Sequence, residues 1–152
     1  MGQTRDDEAG LQTRAAELLR QLGQRDHPNP SEGTSSQEIA STIVRTVQLP
    51  VVAQYRQVLQ PEFGVFQLRS ADRNETVGMA GVVDAIAYNL EGVPELVFDW
   101  KSDVAPTADT RQHHAAQVRE YLESTGAGRG VIVYMSFGEV SEVRLRTSLS
   151  FL

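Results

Sequence analysis

Apolar and polar positions recur along this chain with two different periods, and the change of period divides it. Between residues 6 and 22, Leu11, Ala15, Leu18, Leu19 and Leu22 follow one another at the spacing of a helical stripe. Asp6, Asp7 and Glu8 suit the N-terminus of that helix, where acidic groups meet the positive end of its dipole, and Gly23 suits its end. The polar stretch "QRDHPNPSEGTSS", residues 24–36, is rich in Pro, Gly and Ser and is expected to be a mobile loop. Ser35 and Glu38 have the spacing of a capping box and open a second helix with Ile39, Ile43 and Val47 inward. Pro50 then starts or kinks a short helix that runs to Leu59.

From Glu62 the texture is that of strands. "EFGVFQLRS", a turn at Ala71-Asp72-Arg73-Asn74, "VGMAGVVDAIAYN", the tight turn "LEGVP" and "ELVFDWK" predict a three-stranded antiparallel meander. A loop with Pro106 leads to a helix over residues 108–125, which "GAGRG" stops. "VIVYMSF" reads as a buried strand, and "EVSEVRLRT" as an edge strand paired with it. Helices, three strands, a helix and two strands make an α/β fold around a mixed sheet, not a doubly wound one. The expected division is an N-terminal helical segment, 1–59, and a core, 60–152.

Composition narrows the choice. The 152 residues suffice for a domain with its own core. The absence of cysteine excludes disulfides and thiolate metal sites. No apolar run approaches the length that crosses a bilayer, and the first residues lack a signal-peptide core, so no membrane partner and a cytoplasmic location are expected. A net charge of −6 argues against a self-sufficient nucleic-acid binder. Phosphate binding would need basic residues concentrated locally, or supplied by a partner.

Two strands carry charge where a core is expected. Asp84 lies inside "GVVDAIAY", where a carboxylate is expensive to bury unless it is paired, hydrogen-bonded or bound to a metal. The next strand, "LVFDWKSDV", ends in Asp99 and Lys101, two residues apart and so on one face of the sheet. Paired across the "LEGVP" turn, Asp84 and Asp99 come side by side, and a divalent cation would relieve their repulsion by taking oxygen ligands from both. An amine beside it can orient or help deprotonate a water, which supplies the parts for phosphodiester hydrolysis. The plainer alternative is a structural Asp84–Lys101 ion pair, with Asp99 in solvent. On the helix that follows, Gln117 and Tyr121 are four apart and share a face, with His113 and His114 one turn earlier. Adjacent histidines point about 100° apart and make no zinc clamp, so one of them, at most, faces the site.

In series, "GVVDAIAY", "VFDWKSD" and "QVREY" resemble the nuclease motifs of the PD-(D/E)XK superfamily, in particular its RecB/AddA-type branch, the nuclease domain that ends many UvrD-like helicases. Gly81 and Asp84 match its G-x-x-D, Asp99 and Lys101 its D-x-K, and Gln117 and Tyr121 its Q-x-x-x-Y, over roughly residues 60 to 136. The resemblance implies a restriction-endonuclease-like αβββαβ core and a deoxyribonuclease dependent on Mg²⁺ or Mn²⁺. Asp84, Asp99 and the Trp100 carbonyl would hold the ion, Lys101 would position water or stabilise developing charge, and Gln117, Tyr121 and His114 would support the site and contact DNA. Glu62 is a further acidic candidate. Branch members usually carry G-x-x-x-H on an N-terminal helix; here "GLQTR" puts Arg14 at the histidine position. The chain has no Walker A motif, so the expectation is a C-terminal exonuclease domain of a longer helicase–nuclease in DNA repair or recombination, with a UvrD-like motor in the same chain or complex. The alternative is a nuclease-fold module, weak or inactive, that guides DNA or binds protein.

Overall fold

The computed structural model describes residues 8–71 and 75–145, and the chain divides into two compact units, residues 1–53 and 54–152. Side chains of residues 67–71, 75–77 and 79 lie outside the description, as do the expected turn residues 72–74.

In the first unit, helix α1 spans Glu8–Gln21 and buries Ala15 and Leu19. Leu18 and Leu22, expected on the same stripe, are exposed, so the buried seam is narrower than the apolar pattern. Gly23, at φ 68°, turns the chain out of α1 in the left-handed conformation that glycine adopts without cost. The polar segment that follows contains a 3₁₀ turn at Pro30–Glu32. Helix α2, Ser36–Gln48, opens on the expected cap, the Ser35 hydroxyl accepting from the Glu38 N–H. Its buried side chains are Ser36, Ala40 and Thr46, while the predicted Ile39, Ile43 and Val47 are half-buried. A second clamp holds the same end: the Asp26 carboxylate accepts from the Ser36 N–H at 2.8 Å and from its hydroxyl at 2.7 Å. Helix α3, Pro50–Tyr55, begins in the first unit, ends in the second and stops four residues short of Leu59.

The second unit holds a five-stranded mixed sheet in the order β1-β2-β3-β4-β5, with β1 Gln60–Ala71, β2 Glu75–Tyr88, β3 Pro94–Lys101, β4 Arg129–Tyr134 and β5 Glu139–Val143. β1, β2 and β3 form the expected antiparallel meander, β3 and β4 run parallel, and β5 returns antiparallel beside β4. The parallel step requires a crossover, and helix α4, Ala108–Thr125, supplies it. Thr107 caps its start by accepting from the Thr110 N–H, and Gly126, at φ 77°, ends it. His114, Val118 and Leu122, four apart in succession, are the buried side chains of α4 and lie toward the sheet. Its Val118 and Leu122 join Val83, Ile86, Val97 and Ile132 in one core. On the other face Phe98 stacks on Trp100 and meets the Tyr55 ring edge-on. Among the described residues no helix is long and apolar enough to cross a membrane.

A Cβ at buried Gly130 of β4 would collide with the Val118 side chain, so Gly130→Ala should cost about 1–3 kcal/mol in denaturant unfolding. The hydrogen bonds from Ser36 hold the Asp26 carboxyl below its ordinary value of 3.8. Its contribution is therefore present above that value and lost as pH falls through the lowered one. Melting curves of the wild type and Asp26→Asn should differ at neutral pH and converge in acid.

Candidate active site

The sheet forks at its centre. The β2–β3 ladder pairs Ile86 with Val97 and Ala85 with Phe98, then ends; β2 continues beside β1, and β3 continues beside β4 to the Lys101–Tyr134 pair. The next positions in register are Asp84 and Asp99. At the crotch the Asp84 side chain replaces the missing strand partner, its Oδ2 accepting from the Trp100 N–H at 2.8 Å. The N–H and C=O of one extended residue project to the same strand edge, so the Trp100 carbonyl also faces the fork. The Lys101 carbonyl faces the other way and accepts from the Met135 N–H.

The neighbouring ladder is irregular at the same level. It pairs Pro61 with Ala85 and Phe63 with Val83, and skips Glu62 and Asp84 between them. Val83 and Ile86 are an odd number of residues apart, yet both belong to the core beneath α4, so the alternation of β2 is interrupted around Asp84. Glu62 has φ 55°, a conformation that costs a non-glycine residue free energy and is typical of a bulge or a functional site. Its side chain is exposed.

Asp99 is 2 % exposed, against the expectation that leaves it in solvent. Lys101 Nζ lies 2.9 Å from its Oδ2. The contact is a buried, charge-assisted ion pair. Burial pushes the Asp99 carboxyl above its ordinary value; the ammonium of Lys101 pulls it back, and Asp84 pushes it further up. Lys101 Nζ also donates to Gln117 Oε1 at 3.0 Å, and Gln117 Nε2 donates to the Tyr121 hydroxyl at 3.0 Å. Burial first, then the Asp99 charge, raises the Tyr121 phenol. Two carboxylates, one amine, an amide and a phenol thus form one connected cluster, from two strands and one face of α4. The alternative of a direct Asp84–Lys101 pair is not what forms: Asp84 holds a main-chain N–H, and Lys101 holds Asp99 and Gln117.

His114 is buried while His113 is exposed, as the helical geometry requires of adjacent residues. It starts a second network beside the first. Its Nδ1 is 3.2 Å from the Tyr134 hydroxyl and its Nε2 is 3.8 Å from Asp103 Oδ2. Burial and then the Lys101 charge lower the imidazole's pKa. Asp103 and Tyr134 escape sequence reasoning, although Asp103 follows Asp99 and Lys101 at the same spacing of two, just past the end of β3, and that is the signal that finds it. Arg14, at the position where the branch carries histidine, is an exposed residue of α1 that bonds Glu17 at 3.1 Å.

The donor set suits a hard divalent ion. Mg²⁺ takes oxygen ligands and commonly uses one or two protein carboxylates, completing its shell with water and phosphate. Asp84, Asp99 and the Trp100 carbonyl are of that kind, and the two carboxylates outnumber the single amine. Among the described residues no three His, Cys, Asp or Glu side chains converge to hold a metal.

No family model matches this chain, and no curated protein matches it. Among solved structures 26 chains are similar. One, described as the crystal structure of SSO0001, has a TM-score of 0.53 and 17 % identity, over 94 % of this chain and 64 % of that one. This chain thus spans about two thirds of that protein's length, and at such identity the likeness concerns the α/β fold.

The desolvated carboxylate predicts a gain in stability on its removal. A carboxyl whose folded pKa is raised is penalised above that pKa and is free of the penalty below its unfolded value of 3.8. In chelator, Asp99→Asn should therefore melt higher than the wild type near neutral pH. Calorimetry across pH should show that gap closing as pH falls.

Proposed function

We propose that the second unit is a metal-dependent deoxyribonuclease of the PD-(D/E)XK type, RecB-like, hydrolysing phosphodiester bonds. The observation that carries the reading is the convergence at the fork of Asp84, Asp99 and Lys101, the amine 2.9 Å from a buried carboxylate oxygen. Such a group is costly to bury and does nothing for a core that an apolar side chain would not do better.

Asp84, Asp99 and the Trp100 carbonyl would hold Mg²⁺ or Mn²⁺, which supplies Lewis acidity and a more acidic water. The protein's own part is positional. Gln117 accepts from the Lys101 amine that pairs with Asp99, and Gln117 in turn donates to Tyr121. An ammonium has three donors, so with two directions occupied Lys101 keeps one for the attacking water or for a phosphate oxygen whose charge grows during attack. Asp84 is oriented by its bond to Trp100 rather than by a flexible partner. The net charge of −6 fits a module whose grip on DNA comes from elsewhere, as in the exonuclease domain of a cytoplasmic helicase–nuclease for repair or recombination, with a UvrD-like motor.

A second reading, a nuclease-fold module that guides DNA or binds protein without cutting, is favoured by two observations: no three metal-ligating side chains converge among the described residues, and the histidine position of the branch is Arg14. Cleavage of labelled single-stranded DNA under Mg²⁺ and Mn²⁺ titration separates the two. The nuclease reading expects metal-dependent cleavage that Asp99→Ala and Lys101→Ala each reduce by about 10²-fold or more, the scale of one lost charge-stabilising group. Absence of cleavage together with absence of metal binding by calorimetry supports the guiding module.

A further inference from the structure

Beside the acidic cluster lies a cavity of about 230 Å³ between α4 and the β1–β2 hairpin. Its floor is Val65 and Gly81, its wall the Tyr121 side chain, and its polar rim Gln117, Glu120 and Ser124. Gly81 creates part of the space. A Cβ there would stand 3.6 Å from both Tyr121 Cε1 and Val65 Cγ2, in the gap between ring and strand. Gln117 belongs to cavity and cluster alike: its carbonyl takes the Lys101 amine, and its amide nitrogen donates to the Tyr121 hydroxyl.

The chemistry of the lining selects what can enter. Among the described residues the lining holds no basic side chain. An aromatic wall over an apolar floor, with the Gln117 amide at its edge, suits a flat group with a polar edge. The volume falls below the 300–1,000 Å³ range of sites for drug-sized ligands, enough for one small ring system. The only basic side chain of the adjoining cluster, Lys101, lies at the other end of Gln117.

We propose that this cavity is the nucleoside subsite of the nuclease, seating one base of a single strand while the adjacent phosphate lies at Lys101. The inference rests on the nuclease reading for the phosphate, but the seat for the base is tested by binding alone. Gly81→Val would fill the floor, and Ser124→Phe would fill the opposite rim from the helix, so a failure of either variant to fold leaves the other.

The experiment is fluorescence anisotropy in chelator, with the full chain, a labelled dC hexamer, and a hexamer of abasic sugar-phosphates of equal charge. The wild type should bind the dC hexamer about tenfold more tightly than the abasic one, the scale of a single stacked base. Gly81→Val and Ser124→Phe, with melting temperatures confirming the fold, should abolish that preference. Equal binding of the two hexamers by the wild type, or a preference that survives in the folded filled variants, would overturn the proposal. If the wild type shows the preference and the filled variants lose it while metal-dependent cleavage is absent, the subsite stands and the nuclease reading falls. If cleavage is present and the filled variants keep the preference, the subsite falls and the nuclease reading stands.

Discussion

The hydrogen bond from the Trp100 N–H to the Asp84 carboxylate is the constraint on which the second unit's centre depends. Where two ladders part, main-chain groups lose their strand partners, and a buried unpaired N–H costs about 1–3 kcal/mol. A carboxylate is a strong acceptor for such a group, so the split in the sheet is stabilised by the residue that gives the crotch its charge. The interrupted alternation of β2 and the left-handed Glu62 fall at the same level, which places the structure's irregularities together. Regular pairing there would close the fork and leave no place for a ligand between the strands.

A second consequence concerns charge. With Asp84 fixed at the crotch, Asp99 is buried beside another carboxylate, and Lys101 only partly offsets the cost. Helix α4 supports this arrangement by presenting two rows: His114, Val118 and Leu122 pack downward, while Gln117 and Tyr121 rise beside the charges. The close contact of Gly130 with Val118 sets how near α4 lies to β4, and thereby how far Gln117 reaches toward Lys101. Packing and polar chemistry are therefore coupled through one helix. Instability concentrated in a small polar cluster over a tight apolar core is the usual mark of a site kept for function rather than for folding.

Much of this was legible in the sequence because periodicity reports burial. The meander, the extent of α4 from Ala108 to Thr125 and the pairing of the last two strands follow from alternation, capping and turn residues. The spacing of Asp99 and Lys101 placed them on one face, and that of Gln117 and Tyr121 on another. What spacing does not carry is the loss of pairing between β2 and β3, since a fork is a property of three strands at once. For that reason the partner of Asp84 is a main-chain N–H, which no side-chain pattern announces. Tyr134 escaped for a similar cause: it reads as one more apolar strand position, and only the crossover of α4 brings His114 to its hydroxyl. In the first unit, Leu18 and Leu22 show the reverse error, apolar residues on a helical stripe that remain exposed.

The most direct test of the account is whether a divalent ion goes to the fork. Mn²⁺ added in small amounts to isotopically labelled protein broadens NMR signals close to where it binds. The account predicts early, selective broadening of the Trp100 amide and the Gln117 side-chain amide, lost in Asp84→Asn and in Asp99→Asn. Broadening confined to exposed acidic residues elsewhere, or unchanged by those two substitutions, would contradict it.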